Sequence, residues 1–211
     1  MSRRATTSWW WIRHAPVINP ENLIYGRSDV PVDTSDRASF AALADCLPRR
    51  PVLITSGLAR THVTAEAILE AGMRVAKRDQ DADLDEQHFG DWQGRPASHV
   101  YREIDERHPF WLTPAHSAPP GGESFADLTD RVTAAVERLT ADHAGRHIVA
   151  VAHGGTIRAA LALALGLDPD TALRFAIENL SLTRLDHIAS PDGGLWRVVA
   201  VNQSAGVGGP V

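Results

Sequence analysis

The sequence predicts an α/β fold, a three-layer αβα sandwich around a mainly parallel central sheet, with a small cap insertion over one end. Three observations carry that reading. Short runs of bulky residues without polar alternation recur along the chain, amphipathic segments of helical period lie between them, and one stretch rich in Gly and Pro breaks the rhythm.

Ser8-Trp9-Trp10-Trp11-Ile12 is apolar and short and stops at Arg13-His14-Ala15-Pro16, so it reads as a buried first strand running into a loop. Pro51-Val52-Leu53-Ile54-Thr55-Ser56 reads as a second strand, and Arg146-His147-Ile148-Val149-Ala150-Val151-Ala152-His153 as a third. Residues 35–47 carry Phe40, Leu43, Ala44 and Leu47 at helical spacing, with Pro48 as the stop. Residues 58–71 repeat the pattern before Gly72, and residues 124–142 do so with Phe125, Leu128, Val132, Val136 and Leu139. The Ala/Leu-rich residues 156–165 form a buried helix. Residues 180–186 and 195–201 read as strands joined by the turn Pro191-Asp192-Gly193-Gly194, an antiparallel edge. The Gly/Pro-rich stretch 84–122, with a short helix near 98–107, is expected to cover the end of the sheet where α/β proteins place their sites. The expectation is one domain over 1–203 and a Gly-rich tail over 204–211 that frays.

With 211 residues, 44% of them hydrophobic, the chain can bury one sizeable core. It carries 21 Lys+Arg against 26 Asp+Glu, a formal charge of −5, and the basic residues are scattered, which makes nucleic acid a poor partner. A single cysteine, Cys46, cannot form an intramolecular disulfide, and no apolar leader region follows the basic start; a reducing cytoplasm fits. No stretch approaches the roughly 18–20 apolar residues of a membrane span, so a soluble protein without a membrane partner is expected. Oligomeric state is left open. Cys46 reads as core packing, and the Trp9-Trp10-Trp11 run as sheet packing rather than a stacking platform.

The chemistry gathers at strand ends. His14 follows the first strand, His153 ends the third, and the second leads through Ser56-Gly57-Leu58-Ala59 to Arg60. Arg13 adjoins His14. Two imidazoles and two guanidiniums buried together would be costly without an anion, and a phosphate relieves both repulsion and desolvation. Guanidinium forks match phosphate oxygens, and the helix start at Gly154-Gly155-Thr156 can add backbone N–H donors, although such a pair can also merely make a tight turn. His143 and His147 stand four apart, but Gly145 lies between them, so they read as residues flanking a loop rather than metal ligands.

These residues resemble the histidine phosphatase superfamily, also called phosphoglycerate mutase-like. The likeness rests on Arg13-His14-Ala15, on Ser56-Gly57-Leu58-Ala59-Arg60-Thr61-His62-Val63-Thr64-Ala65, and on His153-Gly154-Gly155-Thr156-Ile157-Arg158. Leu84-Asp85-Glu86-Gln87-His88-Phe89-Gly90-Asp91-Trp92 and Pro120-Gly121-Gly122-Glu123-Ser124 follow the family's order. Tyr25-Gly26-Arg27-Ser28-Asp29-Val30-Pro31 is similar to the α-ribazole phosphatases of that superfamily. Ala15 stands where Gly is commoner, and Pro16 removes a backbone N–H beside the site.

The resemblance implies a phosphomonoesterase that needs neither metal nor cofactor and acts on a small phosphorylated metabolite, α-ribazole 5′-phosphate being the first candidate. His14 would be the nucleophile, and Glu86 the acid that protonates the leaving group and then activates water. Arg13, Arg60, His153 and Gly154 would bind the phosphoryl group, His153 being protonated or at least presenting an N–H. Tyr25, Arg27 and Ser28 would either reach the rest of the substrate or only shape a turn. Glu123 is expected to cap the helix after it, Trp92 to anchor the cap by packing, and Asn179 receives no role. A phosphoglycerate mutase-type transferase and a catalytically silent phosphate-binding member are the alternatives.

Overall fold

Six strands form one mixed sheet in the order β3-β2-β4-β1-β5-β6 in the computed structural model, which describes residues 5–204. β1 (Thr6–Arg13), β2 (Val52–Thr55), β3 (Lys77–Gln80) and β4 (His147–Ala152) run parallel. β5 (Ser181–Ile188) and β6 (Leu195–Ser204) add the antiparallel edge. The central strands are buried along their length except at the ends of β1 and at His147, which opens β4, because helices cover both faces, and this is why their sequences lack polar alternation.

The tryptophan run shows how the layers are built. Side chains alternate along a strand, so Trp9 and Trp11 share one face, stacked with centroids 4.7 Å apart, while Trp10 enters the opposite core. The Trp9 face packs against α4 (Phe125–Asp142), α5 (Gly154–Leu165) and α6 (Pro169–Ala172). The Trp10 face packs against α1 (Arg37–Cys46) and α2 (Ala59–Glu70), with half-buried Cys46 at its margin. No helix among the described residues is long and apolar enough to cross a membrane.

A third, smaller core belongs to the cap, where Ile24, Phe89, Trp92, Val100 and Ile104 pack around α3 (Ala97–Glu103). The cap is therefore not built from 84–122 alone. Ile24 N–H donates to Arg95 O at 2.9 Å and Gly94 N–H to Ile24 O at 2.8 Å, which ties the loop after β1 into it. Gly90 has φ of +49°, and a Cβ there would collide with the Pro120 carbonyl, so only glycine lets the two arms of the insertion meet.

Several expectations change. β3 has no strand signature in the sequence, because Lys77-Arg78-Asp79-Gln80 is exposed throughout and is defined only by its pairing to β2. Four-residue α6, too short to show a periodicity, is started by Asp168, which accepts from Thr171 N–H, and by Pro169. α5 begins at Gly154 rather than Thr156, since both glycines adopt helical backbone and extended His153 is the N-cap. α3 stops at Glu103 rather than near residue 107. Ser204 pairs with Ser181 in the sheet instead of fraying, and the rest of the expected tail, 205–211, lies outside the described residues.

Trp9 Nε1–H donates to Thr140 Oγ1 at 2.9 Å inside the core. Thr140→Val keeps the shape and strands that donor, so urea unfolding should show a loss of about 1–3 kcal/mol with the fold retained; an unchanged midpoint would show that the bond contributes nothing.

Candidate active site

Parallel strands all end at one edge, and that edge collects the reactive side chains. β1 carries Arg13 and delivers His14, β2 leads through Ser56 to Arg60 in the first turn of α2, and β4 delivers His153 at the start of α5. The rings of His14 and His153 lie 5.3 Å apart, centroid to centroid. His14, Arg60 and His153 are at most 1% exposed.

The hydrogen bonds settle both imidazole tautomers. His14 Nδ1 lies 2.7 Å from the Ala15 carbonyl, which can only accept, so Nδ1 carries the hydrogen and Nε2 keeps its lone pair. Burial, then the Arg60 charge, pushes the His14 pKa down to about 3, and Arg13 adds to this while the Ala15 bond opposes it. At His153, Arg60 Nε–H donates to Nδ1 at 3.2 Å, so the hydrogen sits on Nε2 and donates to Ser56 Oγ at 2.8 Å. Burial, reinforced by Arg60, His14 and Arg13, holds its pKa well below the usual imidazole range. Of the two forms expected for His153, the structure has the neutral ring presenting an N–H, and Ser56 engages it.

The guanidiniums keep their charge through backbone oxygens. Arg60 Nη2–H donates to Gly26 O at 2.6 Å and Nη1–H to Ser28 O at 3.0 Å, with Tyr25's ring 5.1 Å from the guanidinium carbon. Arg13 Nη1–H donates to Ile177 O at 2.5 Å, and its buried Nε has no partner among the described residues. A Cβ on Gly154 would stand 3.2 Å from Arg158 Nη1 and 3.6 Å from Arg13 Nε, so the glycine lets both guanidiniums crowd the helix start.

Glu86, 7% exposed, joins the cluster from the cap side. Its Oε2 accepts from Gly155 N–H at 3.3 Å and its Oε1 from Gln87 N–H at 3.0 Å; a Cβ on Gly155 would overlap this carboxylate. The acid-bearing loop is clamped from behind. Glu123 Oε1 accepts from Arg27 at 2.9 Å, from Arg131 at 2.7 Å and from His88 N–H at 2.9 Å, while Arg27 Nε–H donates to Glu86 O at 3.1 Å. Glu123 is therefore not the helix cap. Ser124 and Asp127 form the capping box of α4.

A cavity of about 380 Å³ lies beside the cluster, lined by Arg13, Glu86, Gly154 and Arg158 and by Tyr25 among the cap residues, whereas buried His14, Arg60 and His153 are not part of its wall. Tyr25 thus reaches it. Arg27 and Ser28 are absent from its wall, Arg27 because it is turned into the clamp. A larger cavity, about 580 Å³, lies beside His187 and Trp196 and contains none of the strand-end arginines or histidines. His143 caps the end of α4 and His147 opens β4, so their spacing is not that of helical ligands.

Three residues had no assigned role. Arg158 lies one turn after Gly154 on α5, spacing that puts it over the same end of the cluster; burial, against the pull of Glu86, lowers its pKa to about 10. Ser56 opens the contiguous stretch that leads to Arg60, and no local signal marks its contact with His153, 97 positions away. Asn179 Nδ2–H donates to His14 O at 2.8 Å, a contact across 165 positions without local signal.

The sequence profile of the histidine phosphatase superfamily (branch 1) matches residues 9–204. The chain is 32% identical over 196 residues to 2,3-bisphosphoglycerate-dependent phosphoglycerate mutase 2 of Gloeobacter violaceus, spanning 89% of this chain and 88% of that one. It is 32% identical over 223 residues to glucosyl-3-phosphoglycerate phosphatase of Mycolicibacterium vanbaalenii, spanning 95% and 96%. The α-ribazole phosphatase structure from Shigella flexneri superposes with a TM-score of 0.76 over 96% of this chain and 100% of that one; at 22% identity this is a likeness of fold.

Because His14 titrates near 3 folded and near 6.5 unfolded, the unfolded chain binds the extra proton between those values. Stability from this group is complete above about pH 6.5 and declines as pH falls, by about 1.4 kcal/mol per pH unit for one such histidine. Urea titrations in phosphate-free buffer between about pH 6 and 4.5 should show that slope reduced by a similar amount in His14→Asn; parallel slopes would contradict a neutral buried His14.

Proposed function

The chain belongs to the histidine phosphatase superfamily (branch 1) and is a phosphoric monoester hydrolase, and we propose that it works through a phosphohistidine at His14 on a small phosphorylated metabolite. The observation that carries this reading is the tautomer of His14. A neutral imidazole whose Nδ1–H is held by Ala15 O keeps its Nε2 lone pair free, with the charges of Arg60 and Arg13 near enough to disfavour its protonation, and a free lone pair is what attack on phosphorus requires.

The steps follow from the surrounding donors. His14 Nε2 forms the N–P bond as the P–O ester bond breaks, and Glu86 gives its proton to the departing alkoxide oxygen. Water then attacks phosphorus, Glu86 takes its proton, and the N–P bond breaks to release inorganic phosphate and restore His14. Arg13, with a buried Nε lacking a partner among the described residues, suits an equatorial phosphoryl oxygen, and Arg158 and Gly154 at the start of α5 stand beside it. Arg60 adds charge from beneath, while the His153 Nε2–H shared with Ser56 is the hydrogen that imidazole can offer. The chain's own cations occupy the place that metal ions take in many phosphoryl-transfer sites, so no metal enters these steps.

For the leaving group, the resemblance of the Tyr25 to Pro31 stretch to α-ribazole phosphatases makes α-ribazole 5′-phosphate the first substrate to test. The mycobacterial relative adds glucosyl-3-phosphoglycerate. The Gloeobacter relative supports a second reading, phosphoryl transfer between positions of phosphoglycerate.

Phosphate release from each compound in excess EDTA should be rapid and should vanish in His14→Ala. Glu86→Gln should lower kcat by about 10²–10⁴ with phosphate affinity retained. Isomerisation of 3-phosphoglycerate without phosphate release would favour the mutase reading, and undiminished turnover in Glu86→Gln would remove the acid from its role.

A further inference from the structure

The cavity over the cluster has two chemically different ends. Arg13, Gly154, Glu86 and Arg158 line the phosphate end, whereas Phe89, Tyr101, Phe110, Trp111 and Leu112 make the remainder largely aromatic and apolar. Arg158 marks the boundary, its guanidinium carbon 4.8 Å from the centre of the Trp111 ring and its Nε–H held by Phe175 O at 2.8 Å. Such a site suits a molecule with a dianionic head and a flat apolar body.

The aromatic wall is anchored to the acid. Trp111 Nε1–H donates to Gln87 Oε1 at 2.8 Å, and Gln87 is the neighbour whose N–H holds Glu86. Phe89 and Phe125 brace the Trp111 ring, with centroids 6.1 and 6.0 Å away. At the mouth, Phe110 is 62% and Tyr101 37% exposed. One exposed ring needs no explanation, but two on the wall of a cavity that already holds the acid and a guanidinium are surface a ligand can cover.

We propose that this wall is the leaving-group subsite and that the substrates are phosphomonoesters whose alcohol carries an aromatic ring, seated against Trp111 and covered by Phe110 and Tyr101. The ring would lie within reach of Glu86, placing the ester oxygen at the acid while the phosphoryl group meets Arg13. Ring burial realised as the ester bond breaks raises kcat/KM. This inference rests on the phosphatase reading above.

Benzyl phosphate and ethyl phosphate are matched probes, because both leave as alkoxides of similar basicity and differ in the ring. The wild-type enzyme should favour benzyl phosphate in kcat/KM by on the order of tenfold to a hundredfold. Phe110→Ser, at an exposed position, should cut that ratio by about threefold or more, and Trp111→Leu should remove most of it. Benzylphosphonate and ethylphosphonate binding, followed by calorimetry, reads the subsite without turnover. Release of phosphate from both esters at equal efficiency, or a preference untouched by Phe110→Ser and Trp111→Leu, would overturn the subsite. If neither ester is hydrolysed but benzylphosphonate binds at least tenfold more tightly, the subsite stands and the hydrolase reading falls; equal phosphonate affinities would overturn the subsite in that case too.

Discussion

Burial of basic groups at one end of a parallel sheet is the constraint on which the rest of this structure depends. His14, Arg60 and His153 lie essentially out of water, with Arg13 beside them. Not all of these can be charged in so small a volume. The arginines cannot give up their protons, so they are met by carbonyls at Gly26, Ser28 and Ile177. The histidines can, and they stay neutral. What looks like a cost to folding would therefore also prepare the proposed nucleophile: burial chiefly keeps a proton off His14 Nε2, and the Arg60 and Arg13 charges that reinforce it are those that would stabilise a phosphoryl group bonded to it.

Placing a carboxylate beside such a cluster needs a second device, because Glu86 sits on a loop rather than on the sheet. Glu123 supplies it by accepting from Arg27, Arg131 and the His88 backbone, so three separate segments converge behind one short stretch. Arg131 also donates to Asp83 O at 2.7 Å, and Gly57 N–H donates to Asp85 at 2.6 Å. The carboxylate that faces the cavity is thus carried by a backbone fixed on both sides, which would suit the proton-donor role proposed for it.

The cap extends this logic from chemistry to selection. Its own small core, separate from the two that flank the sheet, lets the wall over the cavity differ in composition without disturbing the strand ends. The Trp111 to Gln87 hydrogen bond links that wall to the loop carrying Glu86, so the surface proposed to meet the leaving group and the carboxyl group proposed to protonate it are joined.

The sequence alone determined the layered architecture, the unalternating central strands, the antiparallel edge and the residues at the strand ends, because each is written in local patterns of hydrophobicity or in contiguous motifs. Arg13, His14, Arg60, Glu86, His153 and Gly154 were all legible in that way. Tertiary structure alone decided the imidazole tautomers, the turning of Arg27 into a clamp, the promotion of Glu123 from a presumed cap to a hub, and the contacts of Asn179 and Ser56 with the two histidines. It also decided that polar Lys77–Gln80 is a strand, since only pairing with β2 makes it one. The physical reason is common to all of these: a hydrogen bond or ion pair between segments far apart in the chain leaves no periodicity behind, and the identity of a polar residue states what it can bind but not which way it turns.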